Sequence, residues 1–137
     1  MILADSNVLS ETSKLVPDPR ALEWIEANEV QLYVPTVVLA ELRYGCEKLP
    51  ASAKRRELEA WLSALIVRYD QKILPFARES AEAHGVLRAR LKALGKPASA
   101  PDSYIAAMAL ALDVPVATRN VKHFEWTGAR LINPWEA

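Results

Sequence analysis

Three acidic residues each adjoin an apolar pattern that predicts a buried element. Asp5 ends the apolar run 2–4, and Glu41 falls on the apolar stripe of a helical pattern. Asp102 lies three, four and seven positions before apolar residues, which places its carboxylate on the inward face of a helix. A single buried acid is explained by a helix cap or a salt bridge, but three brought together raise one another's pKa unless a cation holds them. Carboxylate oxygens with water suit Mg²⁺ or Mn²⁺, so the sequence predicts a site for one of these ions.

Such a site favours chemistry on phosphate esters. A divalent ion lowers the pKa of bound water and neutralises charge while a phosphodiester is attacked. The acids position the ion, and one of them orients or deprotonates the attacking water. Thr118 and Asn120 follow an apolar strand pattern, and we expect each to contribute a neutral oxygen or hold a water. His123 gives only weak support for a softer metal.

Strand and helix patterns alternate along the chain, which predicts a mainly parallel sheet covered by helices on both faces. We expect strands at residues 2–4, 31–34, 71–75, 114–118 and 130–132. A first helix, capped by Ser6 or Asn7, should run toward Glu11, and a second should cover about 19–28. Thr36 should cap a third helix that runs to about Lys48. Further helices are expected over 53–68, over 77–94 and from Pro101 onward. Helices 36–48 and 53–68 form a predicted helical hairpin. His84 is in phase with the apolar residues of its helix, which favours a core or rim histidine over a ligand.

The composition is typical of one folded domain, with 137 residues, 51% hydrophobic and 25% charged. One cysteine excludes an internal disulfide framework and a Cys-rich zinc site. No apolar run reaches the ~18 residues of a membrane span, and the N-terminus lacks the features of a secretory signal, so we expect a cytoplasmic protein. Residues 43–96 hold 12 of the 17 Lys/Arg but 6 of the 17 Asp/Glu. A basic surface beside an acidic centre suits a polyanion, although ordinary solvated helix faces explain it equally well.

Several motifs, weak singly but specific in their order and spacing, support a family resemblance. They are Ala4-Asp-Ser-Asn-Val-Leu-Ser-Glu11, Thr36 to Gly45 with Glu41 between them, Asp102-Ser-Tyr-Ile-Ala-Ala107, Ala117-Thr-Arg-Asn120 through His123-Phe124, and Asn133-Pro-Trp135. Over nearly its whole length the chain resembles the PIN-domain ribonucleases, specifically toxins of the VapBC and FitAB type. The resemblance implies a single PIN-like nuclease domain over 1–137. The implied fold is a three-layer α/β/α domain with a central, mainly parallel sheet of four or five strands and a helical hairpin.

The resemblance also implies roles for site residues. Asp5, Glu41 and Asp102 are the implied metal-binding acids. Asn120 is an implied catalytic residue where many PIN domains carry a fourth acid, and His123 stands where some relatives carry Asp. These two departures weaken a second metal site, although three acids suffice for one Mg²⁺. The implied supporting polar shell consists of Ser6, Asn7 and Thr118.

The implied function is that of a Mg²⁺-dependent endoribonuclease, with Mn²⁺ as a substitute, acting as the toxin of a toxin–antitoxin module. Transfer RNA or ribosomal RNA is the expected substrate. The expected partners are a small antitoxin, whose C-terminal segment covers the active groove, and a second copy of the toxin or a toxin–antitoxin hetero-oligomer. Candidate antitoxin contacts are Trp24, Leu42 and Trp61. No membrane partner is expected.

Two other functions compete with this interpretation. In a receiver-like or HAD-like phosphoryl acceptor, Asp5 would be a covalent nucleophile, but no second acid stands within two residues of it. A degenerate PIN fold that only binds RNA or a protein is motivated by Asn120 and His123. A Rossmann nucleotide-binding enzyme is disfavoured because four glycines in the chain supply no Gly-rich phosphate loop.

Overall fold

A computed structural model describes residues 1–96 and 98–137 and contains a five-stranded parallel sheet. The strands are β1 (Ile2–Ala4), β2 (Leu32–Pro35), β3 (Ile73–Leu74), β4 (Val116–Ala117) and β5 (Leu131–Ile132). Their order across the sheet is β3-β2-β1-β4-β5, and every neighbouring pair is parallel. The predicted parallel sheet is therefore confirmed, with five strands. β1 lies at its centre, which places the residue that follows it at the middle of the carboxyl edge.

Six α-helices connect and cover the strands. They are α1 (Ser6–Glu11), α2 (Pro19–Asn28), α3 (Thr36–Glu47), α4 (Ala53–Arg68), α5 (Arg78–Leu94) and α6 (Ala100–Leu112). Short 3-10 helices cover Glu29–Gln31, Asp70–Lys72 and Val121–Phe124. α3 and α4 pack against each other, as the predicted helical hairpin requires. No helix among the described residues combines the length and apolarity needed to cross a membrane.

Four helices begin differently from the sequence prediction, and the smallest difference is that α5 begins at Arg78 rather than at residue 77. Asp5 rather than Ser6 or Asn7 caps α1, because its carboxylate accepts the backbone N–H of Ser6 at 2.7 Å. Thr36 is the first residue of α3 rather than its cap, and its hydroxyl oxygen accepts the backbone N–H of Phe76. α6 begins one residue before Pro101, with Ser99 as its cap. The caps predicted for α1 and α3 were wrong because the residue before each predicted cap occupies that position.

Three strands are shorter than the sequence predicts. The run 71–75 pairs only at Ile73–Leu74, because residues 70–72 close a 3-10 turn before it. Pro115 precedes β4 and has no backbone N–H to donate to a neighbouring strand, so β4 is shorter than predicted. The Pro115 carbonyl still accepts the backbone N–H of Leu3. β5 is limited to Leu131–Ile132 rather than beginning at residue 130.

The core lies on both faces of the sheet. All three residues of β1 are buried, as expected for a central parallel strand covered by helices. α6 contributes the buried run Ile105–Ala109, so the face predicted to point inward does so. His84 is half-buried, with Nε2 3.0 Å from Ser103 Oγ and its ring stacked on Tyr104, which confirms the prediction of a rim histidine.

Candidate metal centre

Asp5 lies at the carboxyl end of β1 with its side chain fixed by three donors. It is 4% exposed. Oδ1 accepts the N–H of Ser6, and Oδ2 accepts the Thr118 hydroxyl at 2.8 Å and the Asn7 amide at 3.1 Å. Burial raises the pKa of Asp5 and the charge of Asp102 adds to this, while the three hydrogen bonds act in the opposite direction. The three hydrogen bonds thus hold the carboxylate in one orientation and offset part of the rise in its pKa.

Thr118 joins the two central strands at this edge of the sheet. Its Oγ1 accepts the backbone N–H of Asn120 at 3.0 Å and the Asn7 amide at 3.4 Å, while its hydroxyl donates to Asp5. The Asn7 side-chain oxygen in turn accepts the backbone N–H of Arg119 at 3.0 Å. The structure therefore places Asn7 and Thr118 around Asp5, as a supporting shell requires.

Glu41 brings a second carboxylate to the centre from α3. The Ser6 hydroxyl donates to its Oε2 at 3.5 Å, whereas Oε1 is buried and has no hydrogen-bond partner among the described residues. Burial raises the pKa of Glu41 to about 7, and the charges of Asp5 and Asp102 contribute to the shift. These effects show that the three acids lie within one another's electrostatic field.

Asp102 brings the third carboxylate from the first turn of α6. Its Oδ2 accepts the hydroxyl of Ser99 at 2.7 Å, and the ring nitrogen Nδ1 of His123 lies 3.6 Å away. Ser99 also caps the helix by accepting the N–H of Asp102. Sequence reasoning missed Ser99, although a serine three residues before an acid is the usual signal of a capping pair.

Asn120 contributes to the centre through its backbone. Its N–H bonds to Thr118, but its side chain is exposed and makes no hydrogen bond within the described residues. The side chain that lies near Asp102 is instead that of His123. The position of the implied fourth acid therefore carries no carboxylate in this chain.

Glu11 is another buried acid, but its surroundings differ from those of Glu41. Lys14 Nζ lies 2.6 Å from its Oε1, and its Oε2 accepts the backbone N–H of Asp18 at 3.0 Å. Burial acts to raise the pKa of Glu11, but these two partners together with Arg119 bring it below its usual value. Glu11 is thus a structural acid that ties α1 to the following turn.

The donor set fits a hard divalent cation. Among residues 1–96 and 98–137, no three His, Cys, Asp or Glu side chains already stand in a closed ligating arrangement. A cation at the centre would satisfy the unpartnered Oε1 of Glu41 and would offset the repulsion between the acids.

Comparison with known proteins decides the family. Residues 2–126 match the model of the PIN domain. The chain belongs to the PIN-domain family. This PIN domain is 38% identical over 138 residues to a protein from Sinorhizobium fredii named VapC ribonuclease Y4jK, covering 99% of each chain. It is 33% identical over 137 residues to Toxin FitB from Neisseria gonorrhoeae, covering 98% of this chain and 99% of that one.

The fold agrees with these relatives. The crystal structure of FitAcB from Neisseria gonorrhoeae superposes with a TM-score of 0.91 and 32% identity, covering 100% of both chains. The PIN-like fold and the resemblance to VapC and FitB toxins, both inferred from short motifs, are thereby confirmed.

Proposed function

We propose that this PIN domain is a Mg²⁺-dependent endoribonuclease and the toxin of a VapBC-type toxin–antitoxin module, with Mn²⁺ as a substitute ion. The main support is the buried Oε1 of Glu41, which has no partner among the described residues and lies in the field of Asp5 and Asp102. A buried acceptor left unsatisfied costs about 1–3 kcal/mol, and a bound cation removes that cost. A relative named VapC ribonuclease supports RNA as the substrate class. Transfer RNA or ribosomal RNA is the target we expect.

The proposed roles follow from the contacts. Asp5, Glu41 and Asp102 hold the ion, while Ser6, Asn7 and Thr118 orient the carboxylates. A divalent cation at this position supplies activation of water and neutralisation of the charge that develops on the phosphodiester. One of the three carboxylates orients or deprotonates the attacking water, and Asn120 offers a neutral oxygen at the edge of the centre.

The proposed antitoxin site is a groove between α1, α2 and α4. It encloses about 310 Å³, and its mainly apolar lining includes Leu9, Ile25, Trp61, Ala64 and Leu65. An amphipathic antitoxin segment with apolar anchors fits such a groove. Trp61 lines it, as predicted.

The other two predicted antitoxin contacts fit less well. Leu42 is only 8% exposed and belongs to the core, so the prediction that it contacts an antitoxin was wrong. Its place on an apolar helical stripe identified a core position, not a surface. Trp24 is half-buried on α2 and does not line the groove. We propose both a homodimer and a hetero-oligomer with the antitoxin as assemblies of this chain.

The direct test is cleavage of RNA by toxin purified free of antitoxin. We expect total transfer and ribosomal RNA to be cut with Mg²⁺ or Mn²⁺ and not with EDTA, and sequencing of the new RNA ends will identify the target. Asp5→Asn and Asp102→Asn should abolish cutting, and Glu41→Gln should abolish growth inhibition on expression. Absence of cleavage with either ion would refute the nuclease.

The same experiment separates the non-catalytic alternative. The observation that favours a degenerate PIN fold is that neither Asn120 nor His123 supplies a carboxylate. That alternative predicts RNA binding without cleavage under every metal condition.

A further inference from the structure

A basic groove lies between α5 and the start of α6, outside the metal centre. It encloses about 740 Å³. The cations on its wall are Arg88, Lys92 and Lys96, and no described lining residue is acidic. None of the three forms an ion pair within the part of the chain that the structure describes. The groove therefore presents positive charge that no described internal partner neutralises.

The basic groove adjoins the helix turn that carries Asp102. Ala100 and Ser103 line it, and both flank Asp102 in the first turn of α6. At its other side, Lys96 Nζ lies 5.0 Å from the ring centroid of Trp126, an aromatic residue that is 57% exposed. The first turn of α6 thus forms part of the wall of the basic groove and also carries the Asp102 carboxylate of the metal centre.

We propose that the basic groove binds the sugar-phosphate backbone of an RNA strand next to the phosphate that is cut, an inference that rests on the ribonuclease proposed above. Charge complementarity is the argument. Three carboxylates at the centre repel a polyanion, so unpaired cations beside them provide the attraction that holds the strand. Each cation that neutralises a phosphate releases a counterion, which makes the binding depend on salt.

The test measures RNA binding while cleavage is blocked by EDTA. A fluorescent single-stranded RNA of about 12 nucleotides is titrated with antitoxin-free toxin, and anisotropy is followed at several salt concentrations. The groove variant carries Arg88→Gln, Lys92→Gln and Lys96→Gln. The matched control carries Lys48→Gln, Lys54→Gln and Arg56→Gln, which remove the same three charges from the end of the α3–α4 hairpin. Gln keeps a helix propensity close to that of Lys and Arg, so both variants should fold.

We expect the groove variant to lower the slope of log affinity against log salt by about 0.7 for each phosphate that it no longer neutralises, or roughly 2 for three phosphates. Over a fourfold rise in salt, wild-type toxin should then lose roughly 16-fold more affinity than the groove variant. The slope of the control should stay within about 0.7 of the wild-type slope. Equal slopes for the groove variant and the control overturn the proposal. So does a groove variant that changes only the oligomeric state, which would identify the groove as an interface between copies.

These measurements distinguish a failure of the groove proposal from a failure of the ribonuclease proposal. Binding that depends on the basic groove without cleavage in Mg²⁺ supports the groove and refutes the nuclease. If wild-type toxin cuts RNA in Mg²⁺ and the groove variant binds and cuts like the control, the proposal for the groove is refuted. The proposed ribonuclease activity is then retained.

Discussion

The hydroxyl of Thr118 donates to Oδ2 of Asp5 at 2.8 Å, linking residues 113 positions apart that are both buried. The two residues follow β4 and β1, which are adjacent parallel strands, so the sheet itself brings them together. This hydrogen bond opposes the effect of burial on the pKa of Asp5. It therefore limits the rise in that pKa and favours the charged form, which binds a cation.

Replacing Thr118 with Val should impair the centre while preserving the shape of the side chain. Asp5 loses a donor to its charged form, so its pKa rises and its affinity for a cation falls. We expect RNA cleavage to drop about 10–100-fold, the usual effect of removing a group that orients a metal ligand. The free energy of unfolding, measured with urea, should fall by about 1–3 kcal/mol. Thr118→Ser keeps the hydroxyl and is the control; equal loss of activity in both variants would contradict this role.

Glu41 should make the metal-free protein less stable as the pH rises from about 5 to 8. The pKa of Glu41 is raised from 4.5 to about 7, mainly by burial and further by Asp5 and Asp102. At pH values between 4.5 and about 7, the Glu41 carboxyl is ionised in the unfolded chain but still protonated in the folded chain. The folded state therefore binds more protons, so the free energy of unfolding decreases as the pH rises and levels off above about pH 7. Urea unfolding in EDTA at pH 5, 6, 7 and 8 measures this decrease.

The control for that experiment is Glu41→Gln, which should lack this decrease. Burial and the charge of Arg88 lower the pKa of His84, which gives an opposite slope near its usual value of 6.5. The difference between wild type and variant, rather than either curve alone, is therefore the quantity to compare. Mg²⁺ should raise wild-type stability most at high pH, because an ion that binds only the folded state stabilises it. Parallel curves in EDTA would contradict the assignment.

The parts of the fold that follow from local apolar patterns could be predicted from the sequence. β1 is a short buried run ended by an acid, and α6 has a continuous inward face at helical spacing. Asp5 and Asp102 could be predicted as acids at the edge of the core because each interrupts an apolar pattern that is visible in the sequence. The same reasoning placed Glu41 on the inward face of α3, where Val38 and Leu42 are buried.

Features that depend on contacts between distant segments could not be predicted. Whether Leu42 is core or surface depends on which helices cover α3, and a stripe of apolar residues does not specify its partner. The side-chain direction of Asn120 depends on the turn after β4, where the backbone rather than the amide bonds to Thr118. The pairing of Ser99 with Asp102 is different, because it is local and its three-residue spacing is visible in the sequence.

Ser99→Ala should cost both stability and activity, whereas Ser52→Ala should cost stability alone. Both serines cap helices by accepting a backbone N–H, Ser99 from Asp102 and Ser52 from Arg55. Loss of either cap should lower the free energy of unfolding by about 1 kcal/mol. Ser99 also donates to Oδ2 of Asp102 at 2.7 Å, so only its loss frees that carboxylate. RNA cleavage by the two variants is measured at saturating and at limiting Mg²⁺. If both variants are equally destabilised and equally active, Ser99 only caps its helix.

Ala64→Phe should release the toxin from its antitoxin without affecting the metal centre. Ala64 lines the apolar groove between α1, α2 and α4, and a phenyl ring there occupies the space that an antitoxin segment needs. Ala60 is also exposed on α4 but does not line that groove, so Ala60→Phe is the matched control. We expect Ala64→Phe to weaken antitoxin binding by at least about tenfold, equivalent to about 1.4 kcal/mol, in isothermal titration calorimetry. Cleavage by the free variant should match that of wild type, and cells expressing both proteins should regain growth inhibition. If Ala64→Phe and Ala60→Phe bind the antitoxin equally well, the antitoxin covers a different surface.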